Sequence, residues 1–566
     1  MLQSGIDAQC DAAMSICQRN CLLSSDGDRR GLSDIGAINV MSSRECGSRR
    51  LFFGVVTLAI GALLPYPSAA AQGWDNVADP VFQHPVSDTV LPNSPVLAIA
   101  QDETGFLWVG TEGGVVRWDG YHYRVYPADR ANPAGLPDNY IQSLHVDARG
   151  TLWIATLSGG LSRYDRLRDR FVNYRPSPEG LSSVAVRAIA DDGSGGIWAA
   201  TNHGLDEVNA DRGVIRHLRH DDGDPASLPD DNIAAVLRDS KGRLWIGTVG
   251  AVVRQDRIDG PLVKLSLPAR ENQQGVATSL AEDAGGTIWI GTYGGAYIIR
   301  PGPGNAGPER IPGTENDEIL SIVESRRGEV WLGTYGHGIL IVDEVTFATR
   351  RIRHDPLVPQ SLDEDTPWAL HRDRVGDMWV GTNRGLSRHD PNQTAILTVF
   401  GVVSRSKGLT DGDVESVLPM QNGQLWLGLG SNGIDILDPF EGRVADLRTA
   451  VGPSRKPVEL SEVTGLVSTG SGEVFFSTRT GLYRKTPHDP LPVQILLPDT
   501  ISVRGATLTP ETGTLWLATT QDGIWTLSLQ EHRQAEPWPG SSKLTDARIT
   551  VIERSEEHTS ELQSPA

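Results

Sequence analysis

The chain has 566 residues and a formal net charge of −20, with 39% apolar residues, 62 Gly and 35 Pro. That length means several ordinary domains or one large repeat array, the apolar share is enough to bury a core, and the Gly and Pro content falls short of the disordered range. An acidic body repels phosphate backbones, so nucleic acid is not an expected partner.

Residues 1–71 carry six basic and six acidic side chains, so the whole charge belongs to residues 72–566. All four cysteines, Cys10, Cys17, Cys21 and Cys46, also precede residue 72. With none in the body they make neither a disulfide framework nor a metal-ligand set, and a thiol-free body suits an oxidising compartment. The stretch "SRRLFFGVVTLAIGALLPYPSAAAQ", Ser48 to Gln72, has a basic start and a 14-residue apolar run, Leu51 to Leu64. Ala69 and Ala71 then precede a cleavage point. This is the anatomy of a secretory signal peptide, and the run is shorter than the roughly 20 residues of a membrane span. An uncleaved anchor is the alternative. The expected start is Met41, with residues 1–40 spurious and cleavage after Ala71. Arg49-Arg50 with Leu51-Phe52-Phe53 also resembles a twin-arginine export signal, which leaves the export route open.

Val81 to His84 reads as an outer strand without a blade of its own, expected to pair with a blade that lacks one. A repeated phrase then begins, as in "DARGTLWIATLSGG" (Asp147 to Gly160). Aligned on its aromatic residue, it recurs at Trp108, Trp153, Trp198, Trp245, Trp289, Trp331, Trp379, Trp426, Phe475 and Trp516. Ten copies 41–49 residues apart predict four-stranded propeller blades. Three residues before the aromatic residue stands Gly in every copy, as a tight hairpin with positive φ requires. Three residues earlier, six copies carry Asp (Asp102, Asp147, Asp192, Asp239, Asp283, Asp373), expected to bond backbone N–H groups of the turn. One carboxylate per turn is far from the 6–8 oxygens of a calcium site. Two residues after the aromatic residue the side chain is always small, so Trp and a small residue share one strand face and neighbouring blades interlock.

The first seven copies make one seven-bladed ring within residues 72–400. Copies eight to ten begin an incomplete second propeller over 401–552, and Leu544 to Ile552 reads as an inner strand of an eleventh blade. Residues 553–566 lack the pattern and resemble translated sequencing-adapter sequence. The expected fold is therefore all-β, a seven-bladed propeller followed by part of another.

The phrase "GxLWIGTxxGGLxRYD" preceded by "LPDNxIxSLxxD" resembles the repeat of the two-component regulator propellers. Leu136-Pro137-Asp138-Asn139 through Asp165 show it here, and the resemblance runs from about residue 80 to 552. It implies the periplasmic, ligand-sensing input module of a transmembrane receptor in two-component or cyclic-di-GMP signalling. Members typically join two propellers to a small β-sandwich, a membrane helix and a histidine kinase or diguanylate cyclase. Those later modules have no counterpart in this sequence. The implied full-length form is a homodimer anchored in the inner membrane by a C-terminal helix. This chain is read as no enzyme in itself. The alternatives are a secreted lyase using His203 and His337 with Glu112, or an interaction scaffold.

Propeller ligands sit where loops from several blades converge on the axis. The residue after the phrase's Thr varies there, and so does the residue that starts each inner strand. Specificity is written at positions that vary within a fixed frame. The candidates for a small polar ligand, such as an oligosaccharide or organic acid, are Gln142, Arg187, His203, Tyr293, Tyr335, Trp368 and Asn383. No catalytic residue, metal or cofactor is expected. His203 and His337 occupy equivalent loops but show no partner at ligand spacing. "HDDGDPASLPDDN" (His220 to Asn232) reads as a solvated loop.

Overall fold

The computed structural model describes residues 80–85, 91–92, 95–268, 275–302, 307–391, 399, 408–497, 501–530, 534–540, 551–552 and 562–563. The signal-peptide region and most of the strand expected from Leu544 lie outside them. Among the described residues all regular elements are β-strands, so no helix is long and apolar enough to cross a membrane.

The first blade is an antiparallel sheet of inner strand Val96–Gln101, second strand Leu107–Thr111, third strand Gly114–Trp118 and outer strand Tyr123–Tyr126. Blades 2 to 6 repeat this order, with inner strands Ile141–Val146, Val186–Asp191, Ala235–Arg238, Ala277–Glu282 and Ile319–Arg326. Blade 7 has three strands of its own, Ala369–Arg372, Met378–Gly381 and Leu386–His389. Its missing edge is taken by the N-terminal segment. Gln83 and Arg388 exchange both backbone hydrogen bonds at 2.8 Å, and the Phe82 ring packs on Trp331 and His389. Trp379 of blade 7 then packs with Val96, Leu107 and Val109 of blade 1, which closes the ring.

In blades 1 to 7 the second strand is buried on both faces from its Trp onward, because it lies between two neighbours. Trp108 packs with Leu152 and Ile154, Trp153 with Ile197 and Ala199, and Trp198 with Leu244 and Ile246. Covering a Trp removes about 200 Å² from water, worth at most about 5 kcal/mol. The small residue two places on faces another small residue of the inner strand: Gly110 opposite Ala98, Gly291 opposite Ser279, Gly381 opposite Ala369. The next blade enters this gap. A Cβ on Gly110 would lie 2.6 Å from Cγ2 of Ile141, and one on Gly381 2.4 Å from Cγ1 of Val96.

The turn glycines have positive φ in all ten copies, from 63° at Gly513 to 100° at Gly376. The turn Asp does more than its position alone suggests. Oδ1 of Asp147 accepts the N–H groups of Arg149 (2.9 Å) and Thr151 (2.8 Å), while Oδ2 accepts the indole N–H of Trp153 at 2.8 Å. Asp102, Asp239, Asp283 and Asp373 hold Trp108, Trp245, Trp289 and Trp379 in the same way, at 2.8–2.9 Å. One carboxylate thus builds the turn and satisfies a buried donor.

Blades 8 to 10 have inner strands Val414–Pro419, Gly465–Ser468 and Val503–Thr509. Blade 9 is widened to six strands by a hairpin, Thr449–Val451 and Pro457–Glu459, joined in parallel where Val451 meets Val493. Val551–Ile552 follows blade 10 and pairs with Leu562–Gln563.

Candidate functional site

One backbone device recurs at the start of five inner strands. In blade 1, Val96 pairs with Thr111 but Ala98 pairs with Gly110, so Leu97 is left out of the ladder. The same bulge frees Gln142, Arg187, Thr278 and Leu320 in blades 2, 3, 5 and 6. In blades 4 and 7 the ladder starts one residue later, after Ala234 and Trp368. A bulge at a sheet rim re-aims a side chain away from the pleat. The variable position is therefore the one position that ladder packing does not fix.

The turn after the phrase's Thr lies beside it. The Thr156 hydroxyl donates to Gly160 O (2.8 Å) and accepts the Gly159 N–H, so the residues between stand outside the strand. Backbone bonds from Leu157 to Tyr140 (3.1 Å) and from Tyr335 to Glu318 (3.0 Å) tie these turns to the loops entering the inner strands. Those loops are braced from within. Asn139, Asp231 and Asp365 each accept, at 2.6 Å, the backbone N–H of the residue eleven places earlier. The stretch from His220 to Asn232 is thus internally braced as well as acidic.

Three of the seven candidates come together. The Trp368 indole N–H donates to Oδ1 of Asn383 at 2.8 Å, and Asn383 donates to Oε2 of Glu364 at 3.2 Å. Tyr335, 54% exposed, meets the Trp368 ring edge-on with centroids 6.0 Å apart. Glu364 was not singled out from the sequence. Its signal is the Glu-Asp-Thr run, in which its carboxylate also takes the N–H of Thr366 at 2.9 Å.

The other four stand apart. Arg187 is exposed and donates from Nη1 to Oδ1 of Asn232 at 2.7 Å, bridging blade 3 to the loop entering blade 4. Gln142 is half-buried, and Tyr293 is half exposed. His203 is exposed, with Nδ1 3.0 Å from Oδ1 of its neighbour Asn202. Near Gln142, burial first and the Glu112 carboxylate second push the Tyr140 phenol above its ordinary pKa.

His337 corrects the sequence reading. It has a carboxylate partner: its Nδ1 lies 3.0 Å from Oδ1 of Asp317, whose other oxygen accepts from Arg351 at 2.7 Å. Asp317 is twenty residues away and reaches His337 only through the fold. Ser182, His217 and Asp206 also meet, but the hydroxyl (3.1 Å) and the carboxylate (2.6 Å) both approach the same nitrogen, Nδ1. A proton relay needs the two ring nitrogens to face different partners, so this group braces a loop.

The family model described as the two component regulator propeller matches residues 90–113, 135–158, 227–250 and 272–294. The chain is thus an all-β propeller in which four segments match that family's repeat. Among solved structures, the extracellular domain of a hybrid two component system from B. thetaiotaomicron is similar at a TM-score of 0.66 and 21% identity. The match covers 86% of this chain and 64% of that one, so this chain spans less than two thirds of its relative. The extracellular domain of a one component system from the same organism matches at 0.47 and 18% identity, over 86% and 71% of the two chains. A streptogramin B lyase structure matches at a TM-score of 0.45 and 16% identity, over 56% of this chain and 99% of that one. No curated protein matches the chain by sequence.

Proposed function

We propose that this chain is the ligand-sensing, periplasmic input module of a bacterial transmembrane signalling receptor. Export by the leader segment delivers it across the inner membrane. The whole receptor is a homodimer whose kinase or cyclase lies beyond a membrane helix. The observation that carries the reading is the mouth of the first ring. Bulges free variable side chains there, and the Glu364–Asn383–Trp368 chain fixes an indole beside Tyr335 before any ligand arrives. A preformed aromatic surface with a few converging polar groups is what a small polar ligand requires.

The test is a binding screen of oligosaccharides and organic acids on the full chain. Saturable binding is expected for one class, weakened about tenfold or more by Trp368→Ala, and also by Arg187→Ala. Unchanged affinity in both variants contradicts the assignment of the mouth.

A further inference from the structure

Blade 8 departs from the Asp–Trp lock at one residue. Met420 stands where the turn Asp belongs. The turn still closes: Met420 N–H donates to Gln424 O at 2.8 Å and Gly423 N–H to Met420 O at 3.0 Å. The indole N–H of Trp426 loses its acceptor. Its Nε1 is hidden from solvent and has no hydrogen-bond partner among the described residues. Elsewhere the loss of Asp is made good. Glu329 takes the Trp331 N–H at 2.9 Å, Thr509 takes that of Trp516 at 3.0 Å, and copy nine replaces Trp by Phe475, which has no N–H.

Trp426 lines a cleft of about 400 Å³ between blades 8 and 9. Met420 and Pro487 give it apolar walls, and Lys485 is the one charged lining residue among the described residues. The Lys485 ammonium donates to Thr486 O at 2.6 Å, which uses one of its three donors. Among the described residues no carboxylate lines the cleft. A buried donor, an ammonium and apolar walls together lack one thing, an anionic acceptor on an apolar body. We infer that the cleft between blades 8 and 9 binds a small organic carboxylate: its charge faces the Lys485 ammonium, and a shift of the lining side chains opens the covered Trp426 indole N–H to one of its oxygens. The site is separate from the mouth of the first ring and does not depend on the function proposed for that mouth.

The experiment titrates the ¹⁵N-labelled full chain with 4-fluorobenzoate, with 4-fluorobenzyl alcohol as the uncharged control. The Trp426 indole resonance is identified by its loss in Trp426→Phe. It should move saturably with the benzoate. Fluorine spectra should show binding weakened about tenfold in Trp426→Phe and in Met420→Asp, and about tenfold weaker for the alcohol. Met420→Asp restores the lock, so its melting temperature should equal or exceed that of the parent, which shows that the variant is folded. A resonance that stays still, as water alone in the cleft would give, overturns the inference. So does equal binding by Met420→Asp or by the alcohol.

Discussion

In blades 1 to 7 the column Trp is at most 4% exposed, and each one meets the next blade. In blades 8 and 10, Trp426 and Trp516 are only half-buried. Trp516 packs edge-on against Trp538, with ring centroids 5.8 Å apart. The same phrase therefore yields different packing according to what stands beside it. The Trp needs two things at once: a neighbouring strand to cover its face and an acceptor for its N–H. Five of the first seven copies have the Asp acceptor. None of the last three has it. The difference separates a frame that is over-determined from one with fewer fixed contacts, and the cleft lies beside the Trp that lacks its Asp acceptor.

The largest expected effect breaks the frame. Trp245→Ala should cost about 4 kcal/mol in urea unfolding, and Trp516→Ala about half that, because its face is less covered. Equal losses would remove the contrast. Next comes the acceptor. Asp147→Ala strands a buried indole N–H and two turn N–H groups, and should cost about 3 kcal/mol; Thr469→Ala, beside Phe475, should cost less than about 1 kcal/mol.

The smaller effect lies within the first ring. His145 and His371 both stand opposite the column Trp, at Trp153 and Trp379. His145 faces Asp191 at 3.2 Å, whereas Nε2 of His371 is buried without a partner among the described residues. Burial lowers the His371 pKa to about 4, with a small opposing pull from Asp373. The folded state keeps His371 neutral while the unfolded chain takes up the proton near pH 6.5. Stability should therefore be full above pH 6.5 and fall as pH drops to 4, by roughly 2–3 kcal/mol. His371→Leu should flatten that slope in pH-dependent melting, and an unchanged slope would point to other groups.

The frame was legible because each of its parts repeats at fixed spacing. Gly105 and its nine counterparts, the Trp column and the small residue beyond it follow from turn chemistry and period-2 alternation. The Asp–Trp bond was not read, although Asp147 and Trp153 are only six residues apart. The hairpin folds the carboxylate back over the strand, and spacing alone does not show that. Variability singled out Arg187 and Trp368 at the start of inner strands, but the bulge at Arg187 and the later ladder start after Trp368 are matters of register. Glu364, Asp317 and Asn232 were missed because their partners come from other loops and no local pattern joins them.

Native-state hydrogen exchange tests the central claim most directly, that seven blades close into one ring while the next three are held less firmly. Inner- and second-strand amides of blade 7 should exchange as slowly as those of blade 1, and those of blades 8 to 10 faster. Blade 7 amides exchanging as fast as those of blade 10 would contradict closure by the Gln83–Arg388 pairing.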